Sequence, residues 1–221
     1  MQVKKDDILQ AASLYTDKKV FLFDMDGLIF DTERVFMEQL AVVMWERGFS
    51  LSRETYLDTL GLGGQQVRDY MMNYYGEAYP EREISKETVK RVRIVAETVG
   101  ITVKPGVRET LAWLKKKEIP CAVVSSSSTD TIAFNLEQAG LRSYFCKLFG
   151  GELVTQSKPS PECYLLACKE LGVEPRNCVV LEDSENGVRA GHGAGCSVIC
   201  VPDLKWPKQE ILELAEVVVG G

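Results

Sequence analysis

Short apolar runs alternate with amphipathic segments along much of this chain, and the alternation predicts strands and helices in turn. Val20 to Phe23 is continuously apolar, as expected of a strand that is buried on both faces of a sheet. Beyond Pro105, further apolar runs are separated by segments with helical spacing; the runs cover residues 121–125, 146–149, 178–181, 197–201 and 217–219. Strands and helices in this order form parallel sheets covered on both faces. The pattern therefore predicts a doubly wound α/β core.

A different pattern occupies residues 32–103, where apolar positions recur at helical spacing and no run resembles a strand. Breaks rich in glycine or proline divide this segment into four predicted helices, 35–48, 53–60, 65–75 and 86–99. We therefore predict two domains, an α/β core made of residues 1–31 and 104–221 and an all-helical cap made of residues 32–103. Because the cap follows the first strand directly, we expect it to close over a small substrate and to select it.

The composition narrows the class of protein. The 221 residues are 45% hydrophobic, which is enough for a sizeable core, and the net charge is −6. No basic run is longer than Lys115 to Lys117, so nucleic acid is not an expected partner. The first seven residues lack the apolar centre of a signal peptide, and no apolar run is long enough to span a bilayer. We expect a cytoplasmic protein without membrane contacts, monomeric by default.

The cysteines and the single histidine argue against two kinds of site. The seven cysteines are odd in number, lie mostly in apolar segments and form no C-x-x-C pair, so we expect reduced thiols of the core. The only histidine, His192, lies among glycines and alanines. This position argues against a Ser-His-Asp triad, and one histidine excludes a histidine-rich metal site.

The first strand ends on two carboxylates, Asp24 and Asp26, with Gly27 directly after them. The carboxyl ends of parallel strands face the crevice in which ligands bind. Two aspartates so close together repel each other unless a cation lies between them or one carries a proton. The pair therefore indicates a metal-assisted or nucleophilic carboxylate. The competing interpretation is an Asx turn in which Gly27 supplies a positive φ.

Further polar groups follow later strands. Ser125 and Ser126 begin a hydroxyl-rich turn that opens a helix and suits a phosphate, although simple N-capping explains such a turn equally well. Lys158 precedes another predicted helix, and it is either a solvated surface residue or a fixed positive charge. Glu182 and Asp183 end a second apolar strand. Taken together, these groups describe a hard-cation site beside a phosphate pocket.

These motifs resemble those of the haloacid dehalogenase superfamily, in its branch of phosphatases and beta-phosphoglucomutases with a helical cap inserted after the first strand. The segment from Asp24 to Glu33 is similar to the family's first motif, Ser125 to the second, Lys158 to the third and Glu182–Asp183 to the fourth. The resemblance covers the chain from residue 19 to residue 219. It implies a Rossmann-like core of the kind that the strand pattern predicts.

The resemblance also implies an activity, the hydrolysis of a small phosphate monoester such as a sugar phosphate. Asp24 is then the nucleophile, which forms an aspartyl-phosphate. Asp26 is then the acid that protonates the leaving group and the base that deprotonates water. The groups implied to hold the phosphate are Ser125, Ser126 and Lys158.

The cofactor that the resemblance implies is Mg²⁺. Its ligands are then the carboxylates of Asp24 and Asp183 and the carbonyl oxygen of Asp26. Glu182 is implied either as a further ligand or as an acceptor behind the ligands. The metal set is therefore Asp24, Asp26, Glu182 and Asp183.

Beta-phosphoglucomutase shares these core residues, so the cap has to distinguish the two reactions. A mutase holds a bisphosphate and needs a second phosphate site. By the family's spacing, the mutase arginine falls at Gly64 or Gln65 and its histidine at Phe36, and both departures favour a phosphatase. Arg68 and Arg93 remain as cations of the cap, either solvated or facing a substrate.

Two other classes stay open at this point. A dehalogenase, which attacks carbon, does not need Asp26 as acid and base. A catalytically silent relative is expected to lack one of the motifs. This chain has Asp26 and all four motifs, so we expect an active phosphatase.

Overall fold

The computed structural model describes residues 7–220. Its strands are β1 Val20–Phe23, β2 Cys121–Val124, β3 Phe145–Phe149, β4 Cys178–Glu182, β5 Ser197–Cys200 and β6 Val217–Val218. They form one sheet in the order β3-β2-β1-β4-β5-β6, and every neighbouring pair is parallel. The predicted α/β fold with a doubly wound parallel sheet is confirmed.

The helices alternate with the strands, except for a block between β1 and β2. In chain order the α-helices of the described part are α1 Asp7–Ser13, α2 Thr32–Trp45, α3 Arg53–Thr59, α4 Gly64–Tyr75, α5 Glu81–Thr98, α6 Val107–Lys116, α7 Thr129–Gln138, α8 Glu162–Leu171, α9 Glu185–Gly193 and α10 Gln209–Leu212. Helices α2 to α5 lie in the segment for which the sequence predicts only helices.

β1 lies at the centre of the sheet because its four side chains are all apolar and can be buried on both faces. Val20 and Leu22 belong to a cluster that includes Tyr164 of α8. Phe23 points to the opposite face, where its ring meets that of Phe145 edge to face at 5.7 Å between centroids. The strand is thereby fixed from both sides, and so is the chain that leaves it.

The order of the strands reverses at β1. The chain adds β2 and β3 on one side of β1 and then β4, β5 and β6 on the other. Connections on the two sides diverge at such a point, which opens a crevice at the carboxyl ends of the strands. The ends of β1 and β4 therefore mark the expected position of a ligand site.

The chain divides into two compact units, with breaks between Asp31 and Thr32 and between Ile101 and Thr102. The sequence places the second break after residue 103, two residues later. Thr102 and Val103 stay with the α/β unit because the Asp31 N–H donates to the Thr102 carbonyl oxygen (2.9 Å) and Val103 forms a bridge with Phe30.

The helical unit, residues 32–101, has a small core of its own. Helix α2 packs against α5 and buries Leu40, Val43 and Met44. α5 begins at Glu81, five residues before the predicted start at Lys86. The polar first turn conceals this start in the sequence, although its acidic residues suit the positive end of the helix dipole.

Other properties of the described residues bear on the expected class of protein. The seven cysteines are free thiols, and all but Cys146 are buried. No helix in the described part of the chain is long and apolar enough to cross a membrane. The expectation that the chain has no signal peptide concerns its amino terminus, of which residues 1–6 lie outside the described residues.

Candidate active site

One lysine joins the ends of three neighbouring strands. Asp24 directly follows β1, Val124 ends β2 and Glu182 ends β4. The Lys158 ammonium donates to Asp24 Oδ1 (2.5 Å), to Glu182 Oε1 (2.6 Å) and to the Val124 carbonyl oxygen (3.1 Å). The structure thus brings together residues that are far apart in the sequence, at the place where the strand order reverses.

Glu182 is the most deeply buried acid of the site, with no exposed surface. Its Oε1 also accepts a hydrogen bond from the Tyr164 hydroxyl (2.7 Å). Its Oε2 accepts from the Asp183 N–H and from the Ser184 hydroxyl, both at 3.2 Å. Both carboxylate oxygens are therefore engaged by donors of the protein, as a buried charge requires.

Asp26 is held from the turn that follows β2. The hydroxyls of Ser125 and Ser127 donate to Asp26 Oδ2 at 3.3 Å and 2.9 Å. Ser126 is exposed, and Ser128 caps α7 by accepting from the Thr131 N–H. The hydroxyl-rich turn therefore caps a helix, as one of the two interpretations has it, and it also contacts a carboxylate of the site. Its binding of a phosphate stays a prediction.

The charges of the site are strongly coupled. Burial raises the pKa of Asp24 to about 8; the Lys158 ammonium opposes this rise, and the charges of Glu182 and Asp26 add to it. Burial alone would lower the pKa of Lys158, but the charges of Asp24 and Glu182 outweigh it and hold that pKa above its usual range. Lys158 therefore stays a cation at neutral pH and is the fixed positive charge that the sequence allows.

Three carboxylates of the site could hold a metal ion. One oxygen from each of Asp24, Glu182 and Asp183 lies within 4.8 Å of the others. Oxygen donors in such a group are the ligands that Mg²⁺ prefers. Gly27 makes room for this arrangement because a Cβ atom at residue 27 would overlap the Asp183 carboxylate, and its φ of 83° also favours glycine. The donor set fits Mg²⁺.

Two arginines of the helical unit, Arg68 and Arg93, have acidic partners within that unit. Arg68 forms an ion pair with Glu81 (Nε to Oε2, 3.0 Å), and the exposed Arg93 forms one with Glu97 (2.7 Å). Phe36 and Gln65 occupy the positions at which the resemblance implies a histidine and an arginine for a mutase. The Phe36 ring stacks on the Tyr56 ring, and the Gln65 side-chain amide donates to Asp69.

Several residues near the site are absent from the sequence-based set. Ser127 belongs to the run of four serines, and only the direction of each hydroxyl separates it from Ser126. Tyr164 occupies a helical position that looks like an ordinary core residue. Lys104 and Asp203, which form an ion pair beside the site, are 99 residues apart and carry no local pattern.

Comparison with known proteins gives phosphatases and a protein assigned as a beta-phosphoglucomutase. The chain is 34% identical over 184 residues to hexitol phosphatase B of Escherichia coli strain K12, covering 82% of each chain. It is 32% identical to a phosphorylated carbohydrates phosphatase of Thermotoga maritima, covering 79% of this chain and 80% of the relative. A crystal structure of a Thermotoga maritima protein provisionally assigned as a beta-phosphoglucomutase superposes with a TM-score of 0.75 at 28% identity, covering 91% of this chain and 94% of that one.

The fold, the site and these relatives define the class of protein: an α/β enzyme that acts on phosphate esters, either as a phosphoric monoester hydrolase or as a phosphomutase. The chain belongs to the haloacid dehalogenase-like hydrolase family, whose model matches residues 18–195. The resemblance in the sequence motifs is thereby confirmed, including the branch that contains phosphatases and beta-phosphoglucomutases.

Proposed function

We propose that this protein is a Mg²⁺-dependent phosphatase that hydrolyses a small phosphate monoester, with Asp24 as its nucleophile. The observation that carries the proposal is the contact of Lys158 with both Asp24 and Glu182 at the point where the strand order reverses. An anionic nucleophile and an anionic phosphate ester repel each other. A fixed ammonium beside the nucleophile offsets that repulsion and stabilises the charge that develops during transfer.

The first half of the reaction transfers the phosphoryl group to the protein. An Asp24 carboxylate oxygen attacks the phosphorus, and the bond between phosphorus and the ester oxygen breaks. Asp26 gives its proton to the departing oxygen, so that an alcohol leaves. The hydrogen bonds from Ser125 and Ser127 support this role, because they fix the Asp26 carboxyl group through one oxygen.

The second half reverses the proton transfer. A water molecule attacks the aspartyl-phosphate as Asp26 takes its proton, and inorganic phosphate leaves while the Asp24 carboxylate is restored. We assign Lys158 and Ser125 to the phosphoryl oxygens, because both lie beside the two aspartates. Ser126, whose side chain is exposed, stays a predicted phosphate contact.

We assign the metal to Asp24, Asp183 and the carbonyl oxygen of Asp26. Glu182 stays behind this set as the counter-charge of Lys158, because its two oxygens already accept four hydrogen bonds. When bound, Mg²⁺ supplies positive charge that draws electrons from the phosphoryl group. The remaining ligands are expected to be water and a phosphate oxygen.

The proposed substrate class is a phosphorylated sugar or sugar alcohol. Support comes from the names of two relatives, a hexitol phosphatase and a phosphorylated carbohydrates phosphatase. The acidic balance of the chain, with a net charge of −6, gives no support for a polyanionic substrate such as nucleic acid. We propose that residues of the helical unit select among the esters.

Mutase activity is the second candidate, favoured by the likeness to the protein assigned as a beta-phosphoglucomutase. A mutase must hold two phosphates at once. Arg68 and Arg93 are both paired with glutamates of the same unit, and Phe36 and Gln65 bring no positive charge. These contacts support hydrolysis over phosphoryl transfer between two positions of a sugar.

The decisive experiment measures phosphate release from hexitol phosphates, hexose phosphates, nucleoside monophosphates and p-nitrophenyl phosphate, with Mg²⁺ and with EDTA. In parallel, beta-glucose 1-phosphate is supplied and glucose 6-phosphate is detected. Mg²⁺-dependent release of inorganic phosphate, lost in EDTA, supports the phosphatase. Glucose 6-phosphate formed without phosphate release would establish the mutase instead, and no turnover of any ester would contradict both.

A further inference from the structure

Tyr164 contacts the lysine of the site and the acid that holds this lysine. It lies in the first turn of α8, and its side chain is fully buried. Its hydroxyl donates to Glu182 Oε1 (2.7 Å), the same oxygen that accepts from the Lys158 ammonium (2.6 Å). The ammonium also lies 5.1 Å from the centroid of the Tyr164 ring. One side chain thus meets both members of a buried ion pair.

Packing explains the ring of Tyr164 but not its hydroxyl. The ring belongs to the apolar cluster that includes Val20 and Leu22 of β1 and Val124 of β2. A phenylalanine would fill this space equally well and would avoid the cost of burying a polar group. The hydrogen bond to Glu182 Oε1 offsets that cost. The contact with Glu182 therefore accounts for a tyrosine at this position.

The three acceptors of the Lys158 ammonium are not equally rigid. The Val124 carbonyl oxygen belongs to the backbone of β2, and Asp24 directly follows β1. Glu182 reaches the ammonium through a longer and more flexible side chain. Its other oxygen, Oε2, accepts two longer hydrogen bonds, both of 3.2 Å. The short bond from the Tyr164 hydroxyl is therefore the contact that best fixes Glu182 Oε1 in place, apart from the lysine itself.

The position of this oxygen affects the proposed reaction through Lys158. A lysine side chain loses much rotamer freedom when it is fixed, so its ammonium stays at one point only while its acceptors do. The reaction needs the ammonium beside Asp24 and the phosphoryl oxygens at the same time. A misplacement of about 1 Å can slow a reaction by about a hundredfold. A loosened Glu182 should therefore slow the transfer, although Glu182 itself does not contact the phosphoryl group.

We propose that Tyr164 is a positioning residue of the active site: its hydroxyl fixes the Glu182 oxygen that holds the Lys158 ammonium, and so keeps this ammonium beside the phosphoryl group. The inference rests on the proposed function, because it takes Lys158 as the cation that meets the phosphoryl oxygens. It assigns a role to a residue outside the four sequence motifs. Tyr164 acts through Lys158, so its hydroxyl should have no effect when the ammonium is absent.

The first test is Tyr164→Phe in the purified full chain, which removes the hydroxyl and keeps the ring. We expect kcat/KM for p-nitrophenyl phosphate to fall about tenfold, because a hydrogen bond to a charged group is lost. Tyr15→Phe is the matched control. It removes a hydroxyl that donates to Glu216 (3.0 Å), and both residues precede strands, at the edge of the sheet opposite to Asp24. It should leave kcat/KM unchanged, and an unchanged kcat/KM of Tyr164→Phe would overturn the proposal.

The second test separates positioning of the lysine from a role in packing. The dissociation constant of inorganic phosphate is measured by titration calorimetry at saturating Mn²⁺ in wild type, Tyr164→Phe, Lys158→Met and the double variant. Tyr164→Phe should weaken phosphate binding about tenfold when Lys158 is present and less than about twofold when it is replaced. The same loss in both backgrounds is what a packing role gives, and it would overturn the proposal.

Lys158→Met leaves two buried carboxylates without their cation, so this variant may not fold or may not bind phosphate. Tyr164→Phe then decides through its affinity for Mn²⁺, measured without phosphate. The metal is assigned to Asp24, Asp183 and the carbonyl oxygen of Asp26, and the Tyr164 hydroxyl donates to none of them. Weaker phosphate binding with unchanged Mn²⁺ binding supports the proposal. Equal weakening of both indicates a distorted site and overturns it.

Failure of the proposed function has a separate signature. A wild-type chain that releases no phosphate from any ester overturns the phosphatase and this inference with it. An active wild-type chain, together with a Tyr164→Phe variant of equal kcat/KM, overturns only the role of Tyr164. The thermal midpoint of each variant, measured with and without phosphate, checks the fold and the binding constants independently of the calorimeter.

Discussion

Gly187 leaves the space that the Glu182 carboxyl group occupies: a Cβ atom at residue 187 would overlap the carboxyl carbon and both of its oxygens. The contact is between the first turn of α9 and the last residue of β4. Glu182 has little freedom to move away, because Lys158 and Tyr164 hold one of its oxygens. A glycine of α9 thus sets how closely a helix can approach the central acid of the site.

Gly187→Ala is expected to lower the free energy of unfolding by about 2 kcal/mol, although alanine is normally the better helix former by about 1 kcal/mol. We also expect a lower kcat, because the displaced Glu182 no longer holds Lys158. Chemical denaturation and steady-state kinetics measure the two effects. Gly193→Ala, in the same helix, is the control, since its Cβ would lie 3.7 Å from Pro161 in ordinary contact. Equal stability of the two variants would contradict the crowding at Glu182.

Asp24→Asn is expected to reduce kcat by at least about a thousandfold, because an amide is not a nucleophile for this reaction. The fold should survive, since the two side chains have nearly the same shape. Circular dichroism checks the fold, and phosphate release from the best ester checks the rate. Asp130→Asn, at an exposed position in the first turn of α7, is the control and should keep wild-type activity. Asp24→Asn activity within about tenfold of wild type would rule out Asp24 as the nucleophile.

Asp26→Asn is expected to affect poor leaving groups more than good ones. An alkyl alcohol leaves with difficulty unless it receives a proton, whereas p-nitrophenol leaves as an anion. We expect the rate constant of the first step to fall roughly a hundredfold or more for an alkyl phosphate and clearly less for p-nitrophenyl phosphate. Single-turnover measurements of alcohol or phenol release give this rate constant. Equal losses for both esters would mean that Asp26 does not act as the acid.

The raised pKa of Asp24 predicts how stability depends on pH when metal is removed by EDTA. The ordinary pKa of this group is 3.8 and the value in the folded chain is about 8. Between these values the folded chain holds a proton that the unfolded chain has released, so the contribution of Asp24 to stability falls as the pH rises. Asparagine does not titrate. The thermal midpoint of Asp24→Asn minus that of wild type should therefore grow between pH 5 and pH 8.

Titratable groups away from Asp24 are present in both proteins of this comparison, so their titration cancels in the difference. Differential scanning calorimetry in EDTA at several pH values makes the measurement. A difference that stays constant from pH 5 to pH 8 would show that burial does not raise the pKa of Asp24.

The sequence predicts the fold well where hydrophobic runs are short and complete. β1 and β4 appear as apolar runs because both faces of a central parallel strand are buried, and Asp24 and Glu182 are then placed by the ends of those runs. The start of α5 is predicted less well. Its first residues, from Glu81, are mostly polar, and burial of Ile84 against the rest of the helical unit is a tertiary effect.

In the candidate site, the sequence predicts which segments meet but not which side chains make the contacts. Sequence spacing brings Asp24, Lys158 and Glu182 to one edge of the sheet, but it cannot state which serine of the turn faces Asp26. That choice depends on the dihedral angles of the turn, and the structure selects Ser125 and Ser127. The donors to Glu182 cannot be predicted for the same reason, because nothing local indicates that Tyr164 of α8 reaches its carboxylate.

The helical unit leaves the α/β unit at Asp31 and returns at Thr102, and one backbone hydrogen bond of 2.9 Å joins these two residues. Because the α/β unit itself holds the two chain ends of the insert together, the insert can be accommodated without rearrangement of the sheet. In evolutionary terms, the junction at Asp31 and Thr102 allows inserted domains of different length and sequence to replace one another. The catalytic residues of the α/β unit can remain unchanged when this happens. Enzymes of this kind can then diverge in substrate through the helical unit while they keep the same reaction.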